Sequence, residues 1–266
     1  MKLKNILSCI LILFVCVLTV PKVHAMQLTF ACENKQDFPT VMGNSKDVLE
    51  TNPGMGIEAV WLLAKKLNIE IEIKRMPWKR CLSEMEKGNV DGVFTASFKE
   101  KRKQYGLYPE KDGNVDPSRR FTSASYALYR LKGTNVNYDG NNFLNIKGKV
   151  GAPRGYSIAD DLRKKGLTID EGPSTEKDFI KMIKGRLDAV AALEMTGDYY
   201  ILSNDDFQKK IEKILPLIVE KPYYYMISHQ FYNKNKDFAE KIWDTIAEIR
   251  KDSEFQKRLK NYLQWF

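Results

Sequence analysis

A seven-residue segment occurs twice in this chain. Lys87-Gly-Asn-Val-Asp-Gly-Val93 returns as Lys184-Gly-Arg-Leu-Asp-Ala-Val190, 97 residues further on. Each copy joins a glycine suited to ending a helix, an aspartate, and an apolar run fit for a strand. Each also follows an amphipathic helix. The first runs from Trp78 to Lys87; in the second, Thr175 and Asp178 offer a capping box and Phe179, Ile180 and Ile183 the apolar face. Helix-glycine-strand junctions occur in any α/β protein, but two copies about a lobe apart predict two similar lobes. In open α/β sheets, ligands collect beyond the carboxyl ends of strands. Those ends fall at Thr95 and Ser97 in the first lobe, and at Ala192 and Glu194 in the second. Two such edges facing each other make a cleft.

The remaining pattern is also α/β. Gln27 to Cys32 reads as a first strand, and Ile57, Val60, Trp61, Ala64 and Leu67 share one predicted buried helical face. Ile69, Ile71 and Ile73 alternate with Glu70, Glu72 and Lys74 at strand period, and Val90 to Phe94 reads as another strand. Strands alternating with helices argue for parallel units. After a polar loop from Glu110 to Arg120, the extended stretch Ala124 to Arg130 opens the second lobe, and the chain returns through Tyr223 to Ser228. Phe238, Ile242, Thr245, Ile246 and Ile249 build a late helix; Phe255, Leu259 and Leu263 build the last. If these pack on the first lobe, two strands cross between the lobes and serve as a hinge. The expected division is 26–123 plus 218–266 for the first lobe and 124–217 for the second.

Residues 1–25 have the form of a cleaved leader. Lys2 and Lys4 are its basic start, Ile6 to Val20 its apolar segment, and Val23-His24-Ala25 its cleavage site, with the cut after Ala25. The apolar segment falls short of the ~20 residues a membrane span needs. Removing the leader takes away Lys2, Lys4 and Lys22, so the net charge drops from +9 to +6. That surplus is spread along the chain, and nucleic acid is not an expected partner of a secreted protein. His229 is then the last histidine, which excludes histidine triads and histidine-rich zinc sites; no metal or other cofactor is expected. Cys32 and Cys81 remain as a pair. In an oxidising compartment an even count suggests one disulfide, with two buried thiols as the alternative.

The stretch from Asp91 to Arg102 resembles the ligand-carboxylate segment of the bacterial family 3 extracellular solute-binding proteins, the periplasmic polar amino acid binders. In that family, hydroxyl residues seven and five positions before an arginine help it hold the ligand's α-carboxylate. Here those are Thr95, Ser97 and Arg102. The chemistry stands by itself, since a guanidinium offers carboxylate a planar two-pronged donor and hydroxyls complete its bonds. Without the resemblance, Lys99-Glu-Lys-Arg-Lys103 reads as a solvated charge run.

The resemblance extends over the chain after the leader. It implies an α/β, two-lobed periplasmic-binding-protein (Venus flytrap) fold of type II with two crossover hinge strands. Val150-Gly-Ala-Pro-Arg-Gly-Tyr-Ser157 is similar to the family's second-lobe strand and glycine turn. Ser157 is the expected N-cap of the next helix, whose free N–H groups suit the same carboxylate. Tyr156 replaces the small hydroxyl residue common there. The family pairs the ligand's α-amino group with an acid just after the second repeat's strand. Leu193 occupies that position, so the role is carried to Glu194, for which an exposed helix start is the competing view. Phe38, in Asp37-Phe-Pro39, matches an aromatic that the family stacks on the ligand. Trp78, in Pro77-Trp-Lys-Arg80, matches its facing wall; Arg80 is within reach of an acidic ligand end or simply on the surface.

The expectation is therefore a monomeric periplasmic protein, not an enzyme, that captures an amino acid or similar small zwitterion between its lobes. It would deliver that ligand to an ABC permease or present it to a membrane receptor. A stand-alone sensor is one alternative. Another is a secreted dehydratase of the same fold with Glu194 as general acid, although the cleft segments offer no second acid.

Overall fold

The computed structural model of the protein describes residues 26–264, so the expected leader and its cleavage after Ala25 lie outside the described residues. Strand and helix alternate from the start: β1 (Gln27–Glu33), α1 (Met55–Leu67), β2 (Glu70–Met76), α2 (Trp78–Glu86) and β3 (Gly92–Ser97). A short hairpin, β4 (Glu110–Lys111) with β5 (Asn114–Val115), leads into β6 (Thr122–Leu131). A second hairpin, β7 (Asn137–Tyr138) with β8 (Phe143–Leu144), precedes β9 (Val150–Pro153), α3 (Ser157–Lys164) and β10 (Ile169–Gly172). Then come α4 (Thr175–Ile183), β11 (Ala189–Leu193), α5 (Glu194–Leu202) and α6 (Asp205–Lys210). The 17-residue β12 (Ile211–Ile227) carries the chain back to α7 (His229–Lys234), α8 (Lys236–Lys251) and α9 (Ser253–Leu263). No helix among the described residues is long and apolar enough to cross a membrane.

The main sheet has eight strands in the order β10-β9-β11-β6-β12-β3-β1-β2. β1 runs parallel to β2 and β3, and β9 runs parallel to β10 and β11. Between these two parallel triplets lie β6 and β12, antiparallel to each other and to their outer neighbours. Two long strands thus join two similar βαβ halves. Each half buries an apolar layer on both faces of its strands, as two-sided parallel strands require. In the first, Phe30, Ile57, Leu63, Trp243 and Ile246 cover one face, and Ala31, Cys81, Met85 and Val93 the other. In the second, Leu128, Val150, Ile158 and Leu162 face Phe179, Met182, Leu187 and Val190 across the strands. α8 and α9 pack with α1 in the first half.

The repeated segment has a structural explanation. Gly88 and Gly185 take the left-handed backbone, with φ of 73° and 68°, that turns the chain out of α2 and α4. The aspartate that follows ties neighbouring backbone in both copies. Asp91 Oδ2 accepts from the Thr29 amide at 2.7 Å, and Asp188 Oδ2 from the Lys147 and Gly148 amides at 2.8 and 2.6 Å. Each aspartate therefore fixes its strand against the adjacent parallel one.

Three local expectations need correction. Trp61 is 43 % exposed, because the buried stripe of α1 runs through Ile57, Ala59, Val60 and Leu63 and leaves position 61 on its flank. The cap of α4 is Ser174, whose Oγ accepts from the Lys177 amide, while Asp178 is fully buried. Cys32 and Cys81 are free thiols instead of a bridge. Both are buried, and Cys81 Sγ donates to the Cys32 carbonyl at 3.2 Å. Burial pushes the Cys32 thiol up to about 12 and the Cys81 thiol strongly upward, so neither is a ready thiolate.

Ile246→Ala, at a fully buried position of α8, is expected to cost about 2–5 kcal/mol in chemical denaturation. Trp61→Ala should stay within about 0.5 kcal/mol of wild type.

Candidate functional site

β3 ends in an irregular stretch. Its pairing with β12 shifts register between Tyr224 and Met226, and Thr95 holds φ at 65°. A β-branched residue in the left-handed region is strained by roughly 1–3 kcal/mol, which the surrounding packing must sustain. A 3-10 turn over Glu100–Gln104 then brings Arg102 back against the strand end. Arg102 is 5 % exposed. Its Nη1 donates to the Ser97 carbonyl at 2.7 Å and Ser97 Oγ at 2.9 Å, and its Nη2 donates to the Gly155 carbonyl at 2.9 Å. The guanidinium carbon lies 5.4 Å from the Trp78 ring centroid. Among the described residues, no carboxylate forms an ion pair with Arg102.

The opposite wall comes from the turn before α3. Gly155, at φ 81°, lets its backbone approach the first half. A Cβ there would stand 3.0 Å from Lys79 Cγ and 3.3 Å from Trp78 Cδ1. Ser157 is the first residue of α3, and Tyr156 is the N-cap without a side-chain cap bond. The Ser157 hydroxyl is turned to the cleft instead, bonded to Ser97 Oγ and Lys221 Nζ, both at 2.9 Å. Lys99–Asp160 and Lys221–Asp161 ion pairs flank these contacts. Burial lowers the Lys221 pKa, and the Asp161 carboxylate opposes that shift.

These elements line a pocket of the cleft, with about 380 Å³ of space between them that includes open solvent. Five expected residues, Trp78, Thr95, Ser97, Arg102 and Ser157, line it together. Phe38 and Glu194 do not. The Phe38 ring stacks on Tyr199, with centroids 4.8 Å apart and planes 16° apart, and faces neighbouring cavities. Glu194 begins α5, and its carboxylate bonds to Lys213 Nζ at 2.8 Å, beside Asp198 on the same lysine. β11 ends at Leu193, so Glu194 already follows helical geometry and lines, with Asp37 and Phe38, a neighbouring cavity instead.

Two acids absent from the sequence reading line the cavity: Glu33 and Asp37. Glu33 ends β1, so the strand-end rule, extended beyond the repeated segments, would have found it. Tyr156 donates to Glu33 Oε2 at 2.5 Å, and burial raises the Glu33 pKa. Asp37 sits in a tight turn closed by its own backbone bonds to Val41, and Thr196 of α5 meets its Oδ1 at 2.6 Å. Tyr126 and Tyr223, from the crossing strands, complete the wall with hydroxyls 2.9 Å apart. The site thus offers a buried guanidinium, three small hydroxyls, two carboxyls and four aromatic rings. Among the described residues, no group of three or more His, Cys, Asp or Glu is placed to hold a metal ion.

Residues 35–265 match the bacterial extracellular solute-binding proteins, family 3. The chain belongs to this family. It is 25 % identical over 225 residues to the arginine-binding extracellular protein ArtP of Bacillus subtilis (strain 168), covering 80 % of this chain and 77 % of that one. An ancestral arginine-binding protein bound to arginine superposes with a TM-score of 0.69 at 22 % identity, over 90 % of this chain and 98 % of that one. A histidine kinase sensor domain with similarity to periplasmic binding proteins reaches a TM-score of 0.71 at 15 % identity, over 90 % and 96 %. The two-lobed fold of the family is therefore the fold of this chain.

Tyr156→Phe leaves the buried Glu33 without its hydroxyl donor and is expected to cost about 1–3 kcal/mol in denaturation of the ligand-free protein. Glu194→Gln removes a partly exposed pair and should cost less than about 1 kcal/mol.

Proposed function

We propose that this family member captures an amino acid in the interlobe cavity and closes on it for delivery to a membrane transporter. The observation that carries the reading is Arg102, a buried guanidinium bonded to neutral groups of both halves. A ligand carboxylate there gains a charge-assisted pair, with Thr95, Ser97 and Ser157 as further donors. Glu33 and Asp37 then take the ammonium or side-chain cation, between rings that favour cations at their faces. Arginine-binding relatives make a basic amino acid the first ligand to test.

Because the ligand's partners come from both halves, full contact requires the closed arrangement, and ligand shifts the balance toward it. The division at 26–123 plus 218–266 and 124–217, with β6 and β12 as hinge, fits this motion. Secretion to the periplasm after cleavage at Ala25, a monomeric state and an ABC permease partner complete the reading. A stand-alone sensor would use the same cavity, and copurification with a permease distinguishes the two. The dehydratase alternative loses its named acid, since Glu194 is bound to Lys213 away from the cavity.

Protein unfolded, stripped and refolded should show a thermal shift with one class of amino acid. At 100 times Kd the ligand adds about 2.7 kcal/mol. Arg102→Ala should abolish that shift, and Glu194→Gln should keep it. A shift that survives Arg102→Ala overturns the carboxylate assignment. Phenylpyruvate formed from prephenate would turn the reading toward an enzyme.

A further inference from the structure

We infer that Asp37 carries a proton while the cavity is empty and releases it when a cationic ligand group binds, which makes this residue the determinant of preference for cationic ligands. The inference rests on the proposed capture of an amino acid and starts from a count of hydrogens. Thr196 Oγ1 lies 2.6 Å from Asp37 Oδ1 and 3.1 Å from the Phe38 carbonyl. A threonine hydroxyl has one proton to donate, and a carbonyl has none. With Asp37 ionised, that single proton faces two acceptors. With Asp37 neutral, its carboxyl donates to Thr196, which donates onward to Phe38, and both contacts are satisfied.

The surroundings favour the neutral form. From β1 and the segment after it, Asp37 faces Glu33, a second acid, and Lys35, which is already paired with Glu33 at 3.6 Å. α5 brings Thr196, Tyr199, Tyr200 and Glu194, and the Glu194 carboxylate is held by Lys213. β6, β12 and the turn before α3 bring the hydroxyls of Tyr126, Tyr223 and Tyr156. Arg102, across the cavity, is bonded to Ser97 and Gly155. No basic side chain among the described residues pairs with Asp37, and its remaining exposure opens onto cavities. Its turn is pinned by Asp37–Val41 backbone bonds in both directions, at 2.8 and 2.9 Å, which hold its main chain at the cavity wall. Burial accordingly pushes the carboxyl up to about 7, with Glu33 adding to the rise and the Thr196 bond opposing it.

A ligand ammonium or guanidinium inverts this balance, because a buried cation requires the carboxylate and the displaced proton passes to solvent. Affinity for a cationic ligand should then rise with pH up to about 7 and level off above it. Between pH 5.5 and 8 the ionised fraction of such a group rises about 30-fold, and the affinity with it. A ligand with a neutral distal end and no demand on this carboxylate shows no such rise.

The test is calorimetric titration of stripped protein with L-arginine at pH 6 and pH 8, in buffers of different ionisation enthalpy. Wild type should release nearly one proton at pH 6 and almost none at pH 8. Asp37→Asn, whose amide can still donate to Thr196, should release none and bind arginine weakly at both values. Flat affinity without proton release overturns the inference and leaves amino acid capture standing. Proton release that persists in Asp37→Asn but disappears in Glu33→Gln also overturns it. If no amino acid binds, capture itself fails, and carboxyl-carbon NMR of the ligand-free protein decides the inference. A resonance titrating near pH 7 and missing from Asp37→Asn supports it; no such resonance overturns it.

Discussion

Arg102 is the interaction on which the rest of the site depends. A guanidinium keeps its charge at any physiological pH, and burying it beside neutral groups carries a desolvation cost that hydrogen bonds only partly offset. The chain arranges three devices to hold it there. The irregular end of β3, with Thr95 in the left-handed region, turns Ser97 toward the guanidinium. The short 3-10 turn returns Arg102 to that strand end. Gly155 lets a carbonyl from the second half come within 2.9 Å. Loss of any one exposes a charge that the others are shaped around.

The same geometry ties binding to closure. Ser97 to Ser157, Tyr156 to Glu33 and Thr196 to Asp37 each link the first half to the second, and each involves a residue that lines the cavity. Groups that would contact a ligand therefore also help to hold the halves together. Such an arrangement couples occupancy to conformation without a separate relay, since a ligand alters the bonds that decide the open-closed balance. β6 and β12 are the long strands through which the halves communicate, and the β12–β6 register break between Ile214 and Val219 gives them a local irregularity.

Much of this was legible in the sequence because its signals are local. The repeated Lys-Gly-x-x-Asp segment announced two βαβ halves, and the reason is now clear: a left-handed glycine and a backbone-binding aspartate are both short-range requirements. Thr95, Ser97 and Arg102 sit on one strand and the turn after it, so the family resemblance points to all three within one short stretch of chain. Misplaced residues depended on details finer than periodicity. Glu194 is one position past a strand end, where a single helical step rotates it onto Lys213. Trp61 shares a coarse helical face with buried residues but lies at its flank. Asp37 escaped notice because its partner Thr196 is 159 residues away. The two cysteines approach each other as expected, yet Cys81 gives its proton to a backbone carbonyl instead of forming a bridge.

The most direct test of the account is a crystal structure of the protein grown with L-arginine. The account predicts the α-carboxylate on Arg102 between Ser97 and Ser157, with cationic nitrogen within hydrogen-bond distance of Asp37 or Glu33. Arginine bound in the reverse orientation, or seated beside Phe38 and Tyr199 instead, would contradict it.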